Sequence, residues 1–349
     1  MWQGILGHDE VVERFRRTLA SARLASTYLF VGPPGVGKRR FATELARSLL
    51  CTESEEAALK PCGRCESCRL FAAGNHPDLD IVELRPDKSE LAISQFVGFD
   101  EHLNQEALCH RIALKPFFGG RRIAIVDDAD HFNVHSANCL LKTLEEPPPQ
   151  SLMILIGTSP ARQLPTIRSR SQIVRFQPLP VESVAQILLD NGLVADRQQA
   201  ERAAQLSEGS VERALQLSDA TLWQFREQIL TALQAPALDR VRLGRAIQAF
   251  VEEAGKEAAQ RRDRLRTVIG FAADFYRSEL RRRSGESVRA NEWVERAEPI
   301  VRSLDACITA LEYVDRNANQ AMVIQAWCEE LSPLGGTITA GQQREADGQ

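Results

Sequence analysis

Five short apolar runs without polar alternation recur through the first half of the chain: residues 28–31 (YLFV), 79–84 (LDIVEL), 122–127 (RIAIVD), 152–157 (LMILIG) and 172–176 (QIVRF). Near-continuous Ile, Val and Leu is the pattern of strands buried on both faces, and the intervening segments are long enough for crossovers. They predict an α/β unit: a five-stranded parallel sheet covered by helices. Two of the covering helices are legible. Residues 40–50 place Phe41, Leu45 and Leu49 along one helical face, and the stretch SANCLLKTLEEPPP starts on a capping Ser136, carries Leu140, Leu141 and Leu144 inward and stops at Pro147.

Past residue 180 the strand pattern ends. Three short helical segments follow, broken at Gly192 and Gly209, and longer helical patterns run from about 220 to 334. The final GGTITAGQQREADGQ has the composition of a loose tail. The expected division is an α/β domain over 1–178, a small helical domain over 179–219, an all-helical domain over 220–334, and a disordered tail over 335–349.

A length of 349 residues with 44% hydrophobic and 26% charged content is that of a soluble protein of two or three domains. The net charge of −4 gives no global attraction to nucleic acid. The first residues carry no basic-then-apolar signal and no apolar run approaches a membrane span, so the expected location is cytoplasmic, with no membrane partner. The arginine-rich stretches at 261–266 and 277–283 interleave acidic residues and lack aromatic partners, which reads as solvated helix face rather than nucleic-acid contact.

Eight cysteines in a reducing compartment need another explanation than disulfides. Cys109, Cys139, Cys307 and Cys328 lie in apolar or helical surroundings and read as small core residues. Cys51, Cys62, Cys65 and Cys68 are clustered: two C-x-x-C steps share Cys65, and Cys51 completes four thiolates for a tetrahedral, structural Zn²⁺ over 51–68. An iron–sulfur cluster is the competing reading, but the bacterial ferredoxin run continues with Cys-Pro, whereas this chain continues RLFAAG; unmetallated thiols are the remaining alternative.

The stretch GPPGVGK, Gly32 to Lys38, has the spacing of a phosphate loop between a strand and a helix, with Gly32, Gly35 and Gly37 shaping a backbone cradle and Lys38 reaching the terminal phosphates. The next residue of that signature is Ser or Thr, whose hydroxyl ligates Mg²⁺. Here it is Arg39, which carries only donors and cannot hold a metal. Asp127 and Asp128 end the third strand, where an ATPase has a Mg²⁺-holding carboxylate followed by Glu; Asp128 is one methylene short. Thr158 ends the fourth strand.

These parts, with GNHPDLDIVE (74–83), NCLLKTLEEPPP (138–149) and LPTIRSRS (164–171), resemble the bacterial clamp-loader family of the AAA+ superfamily. The likeness is strong over the first two-thirds and weak in the last third, through NANQAMVIQAWCEEL (317–331). It implies an AAA+ P-loop domain with a zinc knuckle, a helical lid over 179–219 and an all-α collar that holds a ring together. In GSVERALQL, Glu212 stands where the family's ATP-sensing Arg is expected, with Arg213 one position late.

Missing hydroxyl, short carboxylate and displaced sensor together imply a stationary, non-hydrolysing ring member within a DNA polymerase holoenzyme, its own nucleotide binding doubtful, with ATP and Mg²⁺ on neighbouring subunits. Ser169-Arg170-Ser171 resembles the family's S-R-C motif, so Arg170 is the implied finger acting in trans on a neighbour's ATP; a structural salt bridge is its alternative role. Implied partners are the gamma/tau-type ATPase and delta subunits of a hetero-pentameric ring, the sliding clamp, and primed DNA bound by the assembled complex. The other readings are an active gamma/tau-type ATPase and a zinc-dependent nucleic-acid-binding module on an inactive fold.

Overall fold

Strand β1 (Thr27–Val31) lies inside a parallel sheet with β2 (Leu79–Val82), β3 (Arg122–Val126), β4 (Ser151–Gly157) and β5 (Gln172–Arg175), in the order β2-β3-β4-β1-β5. Leu29 is in register with Leu155 of β4 and Ile173 of β5. The computed structural model describes residues 2–85, 88–98, 107–284 and 290–334, and the expected tail at 335–349 lies outside them. The chain divides at Ser218/Asp219 into two compact units.

Because successive side chains of a strand point to opposite faces, β1 serves two cores. Tyr28 and Phe30 face a cluster with Trp2, Phe15, Phe41 and Phe176, while Leu29 and Val31 face one with Phe96, Ile112, Leu140 and Ile167. Phe41 touches the rings of Trp2, Phe15, Phe30 and Phe176 at 5.1–5.9 Å, in the tilted and edge-on geometries aromatic rings prefer.

The helices of this unit are α1 (Asp9–Ala20), α2 (Lys38–Leu50), α3 (Glu66–Ala72), α4 (Leu108–Ile112), α5 (Val134–Glu145), α6 (Pro165–Ser169), α7 (Val181–Asp190), α8 (Arg197–Leu206) and α9 (Val211–Ser218). Phe41, Leu45 and Leu49 of α2 are all buried. Ser136 does not start α5. Asn133 is the cap, accepting from the Ser136 N–H at 2.8 Å, while the Ser136 hydroxyl accepts from the Asn133 N–H at 3.1 Å. This reciprocal box begins the helix three residues earlier than the sequence pattern suggests, and places Leu140 and Leu144 inside with Leu141 half-buried.

The second unit is helical: α10 (Ala220–Gln234), α11 (Arg240–Glu252), α12 (Ala258–Ser284), α13 (Ala290–Asp315) and α14 (Gln320–Glu330). Among the arginines of α12, Arg266 pairs with Asp263 and Asp315, Arg277 with Asp274, and Arg282 and Arg283 with Glu279. These cations are neutralised within their own unit. Cys307 and Cys328 are buried, as expected, but Cys109 and Cys139 are only half-buried at the edge of the sheet's second core. No described helix is long and apolar enough to cross a membrane.

Candidate nucleotide site and cysteine knuckle

The loop between β1 and α2 turns through Gly35 (φ +71°) and Gly37 (φ +94°), left-handed conformations that non-glycine residues adopt at a cost. Gly37 caps α2, whose first residue is Lys38. The Lys38 ammonium folds back onto its own loop, donating to the carbonyls of Gly32 at 2.8 Å and Pro33 at 2.7 Å. Burial pushes its pKa down, against the pull of Asp127, Asp130, Glu212 and Asp128.

Arg39 lies in front of the carboxylates that end the sheet. Its Nη1 is 2.6 Å from Glu83 Oε2, just past β2, and 3.4 Å from Asp127 Oδ2, just past β3. Where the phosphate-loop signature has a hydroxyl for Mg²⁺, this chain has a guanidinium tied to the metal-type carboxylate. Burial and the neighbouring Asp128 push the Asp127 carboxyl up, while Arg39 and Lys38 pull it down. Asp128 sits at φ +57° and donates its N–H to Asp127 Oδ1 at 3.0 Å.

Thr158 is committed to Asp130. Its N–H and hydroxyl donate to Asp130 Oδ2 at 2.8 and 2.5 Å, and the Gln163 amide donates to Oδ1 at 2.6 Å.

The start of α9 closes over the loop. Val211 donates its N–H to the Gly35 carbonyl at 2.9 Å. A Cβ on Gly35 would meet Ser210 Oγ at 2.2 Å and Glu212 Cβ at 2.8 Å. Glu212 therefore brings negative charge to a loop whose N–H groups suit an anion. Arg213, one position on, is paired with Glu208 at 3.3 Å.

Arg170 caps α6. Its Nη2 is 2.7 Å from Glu145 Oε1 at the end of α5, and its Nη1 donates to the Thr166 carbonyl and Ser169 Oγ at 3.1 and 3.2 Å. The side chain is one-third exposed, so the pair is accessible to solvent. Ser171 turns inward, donating to the Ile167 carbonyl at 2.8 Å. The site residues named from sequence thus fall into two groups: Gly32, Gly35, Gly37, Lys38, Arg39, Asp127 and Asp128 around the loop with Thr158 alongside, and Arg170 with Glu145.

The cysteine knuckle lies between α2 and α3. The Sγ atoms of Cys51, Cys62, Cys65 and Cys68 are all within 4.8 Å of one another, and the Cys51–Cys65 pair is at 4.0 Å. Tetrahedral Zn–S bonds of about 2.3 Å require sulfurs about 3.8 Å apart, so the four fit such an ion. Backbone N–H groups of Cys62, Cys65 and Cys68 point at Cys51, Cys62 and Cys65 sulfurs at 3.3–3.4 Å, which stabilises thiolates. Burial alone would push the Cys65 thiol up; hydrogen bonds from Cys68 and Thr52 outweigh it and bring it to about 6.

Sequence reasoning missed Glu83, Asp130, Glu145 and Ser210. Glu83, Glu145 and Ser210 stood inside recognised motifs, but nothing in the chain order says that Glu83 meets Arg39, that Glu145 meets Arg170 or that Ser210 lies against Gly35.

A parallel sheet in this order, with a glycine loop after β1 and carboxylates after β3, is that of an AAA+ P-loop protein. Residues 7–180 match the family described as "DNA polymerase III, delta subunit". The chain is 34% identical over 217 residues to the delta-prime subunit of DNA polymerase III from Pseudomonas aeruginosa, covering 61% of this chain and 62% of that one. It is 34% identical over 200 residues to the Escherichia coli delta-prime subunit (57% and 56%), and 35% over 196 residues to gamma/tau of Mycobacterium tuberculosis (55% and 32%). A gamma subunit-related protein of Thermotoga maritima aligns with TM-score 0.44 at 19% identity, over 91% of this chain and 97% of that one. The matched segments span about half to three-fifths of the length of the delta-prime relatives. The matched segment, residues 7–180, belongs to the DNA polymerase III delta-prime family.

Proposed function

We propose that the chain is the stationary, non-hydrolysing delta-prime subunit of a bacterial DNA polymerase III clamp loader. It sits in a ring with gamma/tau-type ATPases and delta, assists ATP-driven placement of the sliding clamp on primed DNA, and gives Arg170 to a neighbour's ATP. The observation that carries the reading is the state of its own site. Arg39 fills the metal position against Asp127 and Glu83, and Val211 and Ser210 close on Gly35.

Phosphoryl transfer depends on metal, a water-orienting group and positive charge on the transferred phosphate. Here the cation is tethered and already paired, Asp128 is short, and the side chain beside the loop from α9 is Glu212. These features favour an inert scaffold over a gamma/tau-type motor. Arg170 has a different character: a one-third-exposed guanidinium whose solvent-accessible ion pair is worth at most about 1 kcal/mol, so a triphosphate can displace Glu145. Delivered to a neighbouring site, it neutralises charge that develops on the transferring phosphoryl group.

Cys51, Cys62, Cys65 and Cys68 hold one Zn²⁺ in this reading; with four protein ligands the ion has no open position and its role is structural. DNA is contacted by the assembled complex in this reading; Arg266, Arg277, Arg282 and Arg283 of α12 are paired with carboxylates of their own unit.

The test is co-purification with gamma/tau-type and delta subunits, with steady-state hydrolysis by the isolated chain. Assembly with negligible turnover is expected. Turnover typical of a motor subunit would make the chain a gamma/tau-type ATPase, and stoichiometric DNA binding without assembly would make it a nucleic-acid-binding module.

A further inference from the structure

Loop 114–121, which leads into β3, is tied to the cysteine knuckle by a chain of hydrogen bonds. The N–H groups of Phe117 and Phe118 donate to the two oxygens of Asp78 at 2.7 and 3.1 Å, and Asp78 is fully buried. The Asp78 N–H in turn donates to His76 Nδ1 at 3.1 Å. That fixes the tautomer: Nε2 carries the proton and donates to Ser67 Oγ at 2.9 Å, whose hydroxyl donates to the Leu50 carbonyl at 2.5 Å. Ser67 stands between Cys65 and Cys68, and Leu50 precedes Cys51.

Two further contacts reinforce this path. The Phe118 ring lies 5.5 Å from His76, and Arg121 makes a two-pronged ion pair, both bonds 2.9 Å, with Glu56, which stands between Cys51 and Cys62. Gly119 closes a turn onto the Pro116 carbonyl at 3.3 Å, leaving Phe117 at its corner. Phe117 is 72% exposed, the largest exposure among the described large hydrophobic residues, and Leu114 beside it is also exposed.

We infer that the metal-bound knuckle acts as a splint for this loop, so that Phe117 is presented as a rigid anchor to an apolar pocket, acidic at its rim, on another protein of the assembly. The choice of partner rests on the clamp-loader reading; the splint does not. Interfaces concentrate their energy in a few aromatic anchors, and an anchor whose backbone is already fixed loses less entropy on docking. Charge argues for protein over nucleic acid. Arg111, Arg121 and Arg122 are paired with Asp80, Glu56 and the Asp78–Asp80 pair, which leaves Lys115 as the cation beside Phe117. A strand-binding surface needs several stacking rings along an uncompensated basic groove.

Two measurements on the full chain test the two halves. Amide hydrogen exchange is compared before and after the metal is stripped with a chelator; the Phe117 and Phe118 amides are expected to lose at least tenfold protection while the amides of α2 keep theirs. Unchanged loop protection after confirmed metal loss overturns the splint. Should stripping loosen the whole unit, Arg121→Gln with metal retained decides the matter in the same way.

For the anchor, purified gamma/tau-type subunit, delta subunit and sliding clamp are titrated in turn against the unmodified chain and Phe117→Ala. At least tenfold weaker binding to one of them is expected. Equal affinity of both chains for every protein that binds overturns the anchor, as does a loss confined to a single-stranded oligonucleotide probe. An unmodified chain that binds none of them overturns the clamp-loader reading and the anchor with it, leaving the metal dependence of the loop amides standing.

Discussion

Arg39 Nη1 stands 3.4 Å from Asp127 Oδ2, two residues far apart in the chain meeting at the edge of the sheet beside the glycine loop. The contact joins the first turn of α2 to the end of β3, and Glu83 completes it from β2. The guanidinium is a covalently tethered counter-ion for both carboxylates.

Replacing Arg39 with Thr is therefore expected to leave ATP hydrolysis negligible. The hydroxyl returns, but Asp128 remains short, Glu212 remains beside the loop, and Val211 still closes on Gly35. Stability should change by no more than about 1 kcal/mol, since Arg39 and Glu83 are both about half exposed. Steady-state hydrolysis and a denaturant titration check both; motor-like turnover in the variant would mean that the single hydroxyl was the whole defect.

Gly35→Ala tests the closure of α9 on the loop. The position has φ +71°, and the added methyl would overlap Ser210 Oγ at 2.2 Å. Left-handed strain and overpacking together are expected to lower the unfolding free energy by roughly 2–4 kcal/mol. The Val211 amide should also exchange faster as its bond to the Gly35 carbonyl opens. An unaltered Val211 exchange rate would show that the contact contributes nothing to the closure.

The loop's other neighbour gives a pH signature. His8 is buried against Phe176, with ring centroids 4.9 Å apart, and Nε2 donates to the Val36 carbonyl at 2.7 Å. Burial holds its pKa below the ordinary 6.5, although the Val36 bond and Asp9 oppose this. Below 6.5 the unfolded chain takes up a proton that the folded chain refuses, so this contribution to stability falls as pH drops through 6.5 toward the folded value. Unfolding titrations at about pH 7.5 and about pH 5.5 should show a smaller acid loss for His8→Gln than for the unmodified chain. Equal losses would remove His8 from the account.

Much of this architecture was legible in the chain because its signals are local. Two-sided burial gave the five strands their unbroken Ile, Val and Leu, and the cysteine spacing lies within one turn and one helix start. What escaped was pairing across the fold. Asn133, not Ser136, starts α5, because a capping box can be read with either of its partners as the cap until backbone geometry decides. Glu145 lies in the recognised LEEPPP stretch, but its contact with Arg170 spans 25 positions and depends on where α5 and α6 end. His76 and Asp78 stood out only as part of a resemblance; their role in tying the knuckle to loop 114–121 arises from burial, which no spacing encodes.

The central claim is that the chain's working residue is Arg170, acting on ATP held by a neighbour. Arginine fingers contribute on the order of 10³–10⁵ in rate at the site they serve. A whole loader keeps its other sites, so Arg170→Ala should lower total DNA- and clamp-stimulated hydrolysis only partly while impairing clamp loading more. Folding and assembly should persist, because the side chain is one-third exposed and its ion pair with Glu145 is solvent-accessible. The decisive measurement is steady-state ATP hydrolysis and clamp loading by a reconstituted complex containing the Arg170→Ala chain. Reduced hydrolysis with strongly reduced loading is the predicted result; unchanged rates of both, with assembly verified, would contradict it and leave Arg170 as the partner of Glu145 alone.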